Sequence, residues 1–243
     1  MIPTLLTAVL GIFAASILRG FTGFGFGLAA VPLLSLALPP AQVVPLVVVL
    51  QAIVGVAGVG SAWPLCDWRA VRRLTPGLIV GIPLGLIVLT GFEPNQVRLV
   101  IGVMIAASVV VLWRGLRLPP NPSPGITLGV GLVSGVMSGL SSMGGPPIVV
   151  YLLALAHSAA RVRATSIIYF LLSALLSLVP MTWRGLIGQE VLIWAVACVP
   201  VLFGGSWIGT WGFRHAQPHH HRTTALVVLT LLSAVLIARA VAV

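Results

Sequence analysis

Long apolar runs alternate with short polar segments along most of the chain. Ten such runs, each of 11 to 20 residues, lie near 2–18, 28–38, 42–60, 76–91, 98–113, 125–140, 147–157, 164–181, 190–209 and 223–241. A helix that crosses the hydrocarbon core of a bilayer needs about 20 mostly apolar residues. The pattern therefore predicts an all-α, polytopic integral membrane protein with roughly eight to ten full spans.

Two of these runs, 28–38 and 147–157, are too short to cross a membrane alone, because eleven helical residues rise only about 16 Å. Each follows a glycine-rich segment inside apolar sequence. The first motif is GFTGFGFGL at 20–28, and the second motif is GLSSMGGPP at 139–147. Irregular backbone is tolerated at membrane depth only where protein or a water-filled cavity shields it. We therefore expect broken or re-entrant helices at both motifs.

The two motifs also indicate an internal repeat. A shift of 119 residues places Gly20 on Gly139 and Gly25 on Gly144. About five segments per half is an odd number, so the second half would enter the membrane with inverted topology, and such repeats place substrate near the bilayer midplane. The predicted organisation is an N-terminal repeat at 1–118, a proline-rich connector at 119–124 and a C-terminal inverted repeat at 125–243.

Composition supports a membrane protein and excludes a soluble one. The chain of 243 residues is 59% hydrophobic and 7% charged, whereas soluble domains carry about 25% charged residues. A net charge of +10 could indicate nucleic acid, but the arginines form short clusters in alternate loops. The positive-inside rule accounts for that pattern without nucleic acid. It places the loop that holds Arg69, Arg72 and Arg73 in the cytoplasm, with both termini outside.

Two glycine stripes predict close helix packing. Small residues spaced four apart let helix backbones approach in lipid, and this spacing occurs twice, at Gly77, Gly81 and Gly85 and at Gly131, Gly135 and Gly139.

The motifs supply the candidate chemistry. Pro146 and Pro147 suit the first turn of a new helix, and a buried helix N-terminus is an anion site without a basic side chain. The first motif would supply the symmetry-related helix end. The candidate substrate-binding residues are Arg19, Thr22, Gly23, Gly25, Gly27, Gln51, Ser138, Ser141, Ser142, Gly144, Gly145 and Pro146.

A purely structural interpretation stands beside this one. Both motifs could be kinks packed by neighbouring helices. Serines in membrane helices often bond their own backbone, Gln51 could join two helices, and Arg19 could extend to the interface.

Catalysis has little support in the sequence. The only acids are Asp67, Glu93 and Glu190, and none lies in the middle of an apolar run. No metal-ligand spacing, phosphate-binding loop or nucleophile motif occurs. We therefore expect neither an enzyme nor a cofactor or metal site, and any active transport would use an ion gradient or the energy supplied by a partner protein.

The two motifs resemble the signatures of the TauE/SafE sulfite exporter family. The first is GFTGFGFG at 20–27, and the second, more specific one is GVMSGLSSMGGPP at 135–147, followed by IVVYLL. The resemblance covers nearly the whole chain. It implies a multi-pass permease of the bacterial inner membrane for sulfite, a sulfonate such as sulfoacetate or a related organic anion. Ser141-Ser142-Met143 stands where relatives often have more glycine, which could alter the size of the substrate.

The preferred hypothesis is thus a secondary transporter or facilitator for a small anion, embedded in a lipid bilayer. A proton or sodium ion could be coupled to transport, and the chain could form a homo-oligomer. An accessory subunit of a membrane complex is the first alternative. An integral-membrane enzyme acting on lipid is the weakest, because it would need an ionisable cluster at one membrane face.

Overall fold

The computed structural model describes residues 2–23, 25–114, 118–119, 122–155 and 158–215. These residues form nine α-helices and one 3-10 turn, with no strand among them. The helices are α1 (Ile2–Thr22), α2 (Phe26–Ser35), α3 (Pro40–Ala62), α4 (Trp68–Gly91), α5 (Pro94–Trp113), α6 (Pro124–Ser141), α7 (Gly145–Ala154), α8 (Ala159–Trp183) and α9 (Gln189–His215). The predicted apolar segment at 223–241 lies outside the described residues.

Six of the described helices, α3, α4, α5, α6, α8 and α9, are long and apolar enough to cross a membrane. This confirms a polytopic, all-helical protein. Large apolar side chains stay exposed on the outer faces of these helices, as lipid contact requires; half of Ile79 and 63% of Ile193 are exposed. Trp113 and Trp183 end two of the helices and are also largely exposed, as tryptophans at a membrane interface are.

The helix bounds repeat along the chain. Both α2 and α7 have ten residues, and their first residues, Phe26 and Gly145, are 119 positions apart. The starts of α3 and α8, Pro40 and Ala159, are separated by the same number. On this spacing α1 corresponds to α6, and α4 corresponds to α9. The packing follows the correspondence, because α4 packs on α6 and α1 packs on α9, while α3 packs on α8.

The two predicted glycine stripes face each other in a single interface between α4 and α6. A Cβ atom added to Gly135 would lie 2.7 Å from the carbonyl oxygen of Leu78 and 2.9 Å from the Cα of Gly81. A Cβ atom added to Gly77, Gly85 or Gly139 would likewise meet backbone of the opposite helix. The two backbones are therefore in direct contact, which only glycine permits.

The α3–α4 connection shows how a single acid starts a helix. Asp67 is the N-cap of α4, and its Oδ1 accepts hydrogen bonds from the backbone N–H groups of Arg69 (3.0 Å) and Ala70 (3.1 Å). The N–H of Asp67 donates to Thr165 Oγ1 at 2.9 Å, so the loop is fastened to α8. Beside it, burial raises the pKa of the Cys66 thiol to about 11.

Two glycine-to-alanine substitutions on α6 should distinguish the stability that comes from helix contact from the effect of glycine's backbone flexibility. We expect Gly135→Ala to destabilise the protein by about 1–3 kcal/mol, because the added methyl group forces the backbones of α4 and α6 apart. Gly129→Ala is the matched control on α6, since nothing lies within 4 Å of its added Cβ. It should be neutral or stabilising by up to about 1 kcal/mol. Thermal unfolding in detergent measures both, and equal stabilities would contradict the packed interface.

Thiol labelling tests the predicted orientation. Ala70 is buried, whereas Leu65 in the α3–α4 connection is half exposed. Leu65→Cys in a background with Cys66→Ala and Cys198→Ala should resist a membrane-impermeant reagent added to whole cells and react after the membrane is opened. Native Cys66 should label slowly at pH 7, because a thiol with a raised pKa holds little thiolate. Labelling of the Leu65→Cys variant from outside intact cells would overturn the orientation.

Candidate functional site

Each glycine-rich motif interrupts the helical structure for three residues. The first break is 23–25, between α1 and α2, where Gly23 (φ 80°) and Gly25 (φ 88°) are left-handed. The second break is 142–144, between α6 and α7, where Ser142 is left-handed (φ 56°). Left-handed backbone is open to glycine and strained for most other residues. Among the described residues of the two breaks, glycine thus occupies two of the three left-handed positions.

Both breaks end at a helix start without a side-chain cap. Gly25 precedes α2 and Gly144 precedes α7, and a glycine has no side chain that could accept a hydrogen bond from the first turn. The predicted start of the second helix at Pro146 is one residue late, because α7 begins at Gly145. Pro146 itself lacks an N–H group. The donors at this end therefore belong to glycines, and Pro146 contributes only its fixed backbone angle.

The two breaks touch each other. A Cβ atom added to Gly27, in the first turn of α2, would collide with the carbonyl oxygen of Ser142 and lie 2.8 Å from its carbonyl carbon. Glycine at position 27 is therefore what lets the start of α2 reach the second break. Segments more than 100 positions apart in sequence meet at this point.

A small cavity lies where the breaks meet. Its lining residues come from both motifs and from α1, α3 and α8: Arg19, Gly23, Gly25, Phe26, Gly27, Leu28, Gln51, Ser142, Met143, Gly145, Ile167 and Phe170. Its volume is about 10 Å³, room for about one water molecule. The structure therefore brings seven of the predicted site residues to one small cavity and surrounds them with apolar side chains.

Gln51 connects three elements at the cavity. It is 6% exposed. Its Oε1 accepts a hydrogen bond from Ser142 Oγ at 3.2 Å, and its Nε2 donates to the carbonyl oxygen of Phe170 at 3.3 Å. One amide thus joins α3 to the second break and to α8, so Gln51 both links helices and lies at the cavity.

Arg19 supplies a cationic side chain to the cavity lining. It lies near the end of α1, and its Nη2 donates to the carbonyl oxygen of Val54 in α3 at 3.3 Å. A hydrogen bond to a neutral carbonyl leaves most of the guanidinium charge uncompensated. The side chain therefore gives the cavity a positive potential.

The remaining predicted residues are not among those that line the cavity. Ser141 Oγ donates to the carbonyl oxygen of Met137, four residues earlier, at 2.9 Å. Ser138 faces Gly144 inside the α6–α7 packing, because a Cβ added to Gly144 would collide with Ser138 Oγ. Pro146 is buried away from the cavity. The side chain of Thr22 lies outside the described residues.

A buried hydroxyl chain holds the second break in place. Tyr169 of α8 donates its hydroxyl hydrogen to Ser134 Oγ at 3.1 Å, and Ser134 Oγ donates to the carbonyl oxygen of Gly144 at 2.7 Å. All four serines between positions 134 and 142 are buried, but their hydrogen bonds differ. Ser134 satisfies the freed backbone of the break, and Ser142 alone of the set reaches the cavity.

Several lining residues carry no signal in the sequence. Phe26, Leu28, Met143, Ile167 and Phe170 are apolar and look like ordinary core positions. One signal was present for Phe170, because it lies 119 residues after Gln51, the same shift that relates the two motifs. In the described part of the chain no cluster of three or more His, Cys, Asp or Glu residues could hold a metal ion.

Comparisons with known proteins point to one family. Residues 8–236 match the profile of the family described as sulfite exporter TauE/SafE. The chain is 26% identical to a probable sulfite/organosulfonate exporter TauE of Cupriavidus necator, over 96% of this chain and 91% of that protein. It is 28% identical to a probable inner membrane transporter protein TsaS of Comamonas testosteroni, over 67% of this chain and 69% of that protein. No solved structure gives a significant match.

Proposed function

The chain belongs to the sulfite exporter TauE/SafE family, and from this premise we propose that it is a secondary transporter or facilitator for a small anion. Sulfite, a sulfonate such as sulfoacetate or a related organic anion would cross the bacterial inner membrane. The relatives support both parts, since one is named a sulfite/organosulfonate exporter and the other an inner membrane transporter. The observation that carries the proposal is the meeting of both helix breaks around one cavity.

The chemistry of the cavity favours an anion. The uncapped starts of α2 and α7 each contribute roughly half a positive charge, and Arg19 adds a full one. Ser142 Oγ is a donor that could turn from Gln51 to an oxyanion. The three acids of the chain lie in connections or at helix starts, at Asp67, Glu93 and Glu190, and none lines the cavity. A cation would therefore find repulsion there and few oxygen ligands.

The two halves form an inverted repeat in this proposal, with 1–118 and 125–243 joined by the connector at 119–124. Three observations support it. The helix bounds recur after 119 residues. The α4–α6 contact corresponds to the α9–α1 contact under the same shift. Gln51 bonds to Phe170, its own counterpart, as residues next to a two-fold axis do.

The short helices α2 and α7 act as half-helices in this arrangement. Ten residues rise about 15 Å, half the thickness of the hydrocarbon core. Each would start at the cavity near the midplane and run toward one membrane face. The cavity has room for about one water molecule in this conformation, so we infer that it must widen before it can hold the anion. Transport then requires the two halves to move and open the cavity to one side at a time.

Adding one negative charge to the cavity tests the anion site. Gln51→Glu keeps the shape of the side chain and places a carboxylate in the cavity. Sulfite or sulfoacetate flux into proteoliposomes should fall by about 100-fold or more, because like charges at a site cost several kcal/mol. Gln96→Glu is the matched control: the same change on an exposed side chain of α5 should leave flux unchanged.

Ser142→Ala should weaken transport more moderately. Loss of one hydrogen bond to a charged group costs about 1.5–3 kcal/mol, which predicts a rise of at least about tenfold in the KM for the transported anion. Flux is normalised to folded protein. Parent-like flux in both Gln51→Glu and Ser142→Ala would remove the cavity from the transport pathway, and absence of flux for every anion tested in the parent would contradict the function itself.

A further inference from the structure

Arg163 of α8 contacts the first break but does not itself line the cavity. Its Nη2 donates a hydrogen bond to the carbonyl oxygen of Gly20 at 3.0 Å. Its aliphatic stem lies on Gly23, where an added Cβ would collide with Cγ of the arginine and lie 3.1 Å from its Cδ. One side chain thus contacts both the last turn of α1 and the left-handed glycine that follows it. Thr210 of α9 donates to the same Gly20 carbonyl at 3.3 Å.

The position of Arg163 on α8 connects it to the cavity. Ile167 and Phe170 line the cavity, and they follow Arg163 by four and seven residues, the spacing of one helix face. Arg163 therefore continues the cavity-lining face by one turn toward the start of α8. That end of α8 also carries Arg161, and the two arginines form one of the clusters that the positive-inside rule places in the cytoplasm.

Charge makes this contact sensitive to an anion. Arg163 donates to the carbonyl oxygen of Gly20, the residue that follows Arg19 in the chain, so two cationic residues lie at the end of α1 beside the first break. The bond from Arg163 to Gly20 is made to a neutral carbonyl, whereas an oxyanion carries a negative charge and can accept two parallel N–H bonds from one guanidinium. An anion between the two arginines would compete for Arg163.

We propose that Arg163 is a positioning residue that latches the first break against α8, and that an anion in the cavity releases the latch by taking over its guanidinium group. With the cavity empty, the latch keeps that end of the pathway shut. With an anion bound, Gly23 and the start of α2 are free to move. The inference relies on the proposed function only for the nature of the anion.

Accessibility of the cavity, measured separately from transport, tests the latch. Ile167→Cys is introduced with Cys66→Ala and Cys198→Ala, and the purified protein in detergent is labelled with a charged maleimide. The maleimide should react slowly with the introduced cysteine, and adding ethanesulfonate as the anion should raise the labelling rate. Adding Arg163→Gln should raise the rate about tenfold without anion, the effect of losing one charge-assisted bond of about 1.4 kcal/mol, and ethanesulfonate should add nothing further.

Two further variants make the result specific. Arg161→Gln removes an exposed charge two residues away on the same helix and should leave labelling slow. Gly23→Ala pushes on the stem of Arg163 from the opposite side and should reproduce Arg163→Gln. Unchanged labelling in Arg163→Gln and Gly23→Ala, or an equal rise in Arg161→Gln, would overturn the latch. Fast labelling of Arg163→Gln in a protein that moves no anion would uphold the latch and contradict the transport function instead.

Discussion

Every backbone polar group inside a membrane must find a partner within the protein, and that demand is severe in the proposed arrangement, which places both breaks near the midplane. The first break is satisfied by helices distant in sequence, and the second break by the helix that precedes it. The Gly20 carbonyl before the first break accepts from Arg163 and Thr210, and the Gly144 carbonyl in the second break accepts from Ser134. Arg163 belongs to α8, which also lines the cavity through Ile167 and Phe170, so the contact that satisfies the first break also holds a cavity-lining helix beside it.

Glycine sets how closely the helices can approach. Contact between α4 and α6 needs bare backbone along both helices, and contact between the breaks needs it at Gly27. Each is a place where a methyl group would force backbone atoms apart. In lipid, where apolar side chains gain little by leaving their surroundings, such close packing is the main attraction between helices. The α4–α6 interface and the contact at Gly27 thus explain the glycines that meet opposing backbone there, whereas Gly129 has nothing within 4 Å of its added Cβ.

Much of the fold could be predicted from the sequence because its signals are local. The length of the apolar runs identified the six long helices that could cross a membrane. The glycine-rich motifs located both helix breaks to within a few residues. Partners could not be predicted, since a glycine stripe reveals a contact face and not its neighbour. Nothing local distinguishes Ser142, which reaches the cavity, from Ser141, which bonds back to Met137. In the sequence Arg163 is only one member of an arginine cluster, because its contact with the first break is made to Gly20, 143 residues earlier.

The central claim is that the two breaks jointly hold the anion, and locating a bound oxyanion tests it most directly. Selenite has the shape and charge of sulfite, and its selenium scatters anomalously, so crystals grown with selenite would reveal its position without assumptions about transport. The account predicts a selenium peak in a widened cavity at the two breaks, within hydrogen-bonding reach of Ser142 Oγ or the Arg19 guanidinium. Peaks only at exposed arginines such as Arg114, with the cavity empty at saturating selenite, would contradict it.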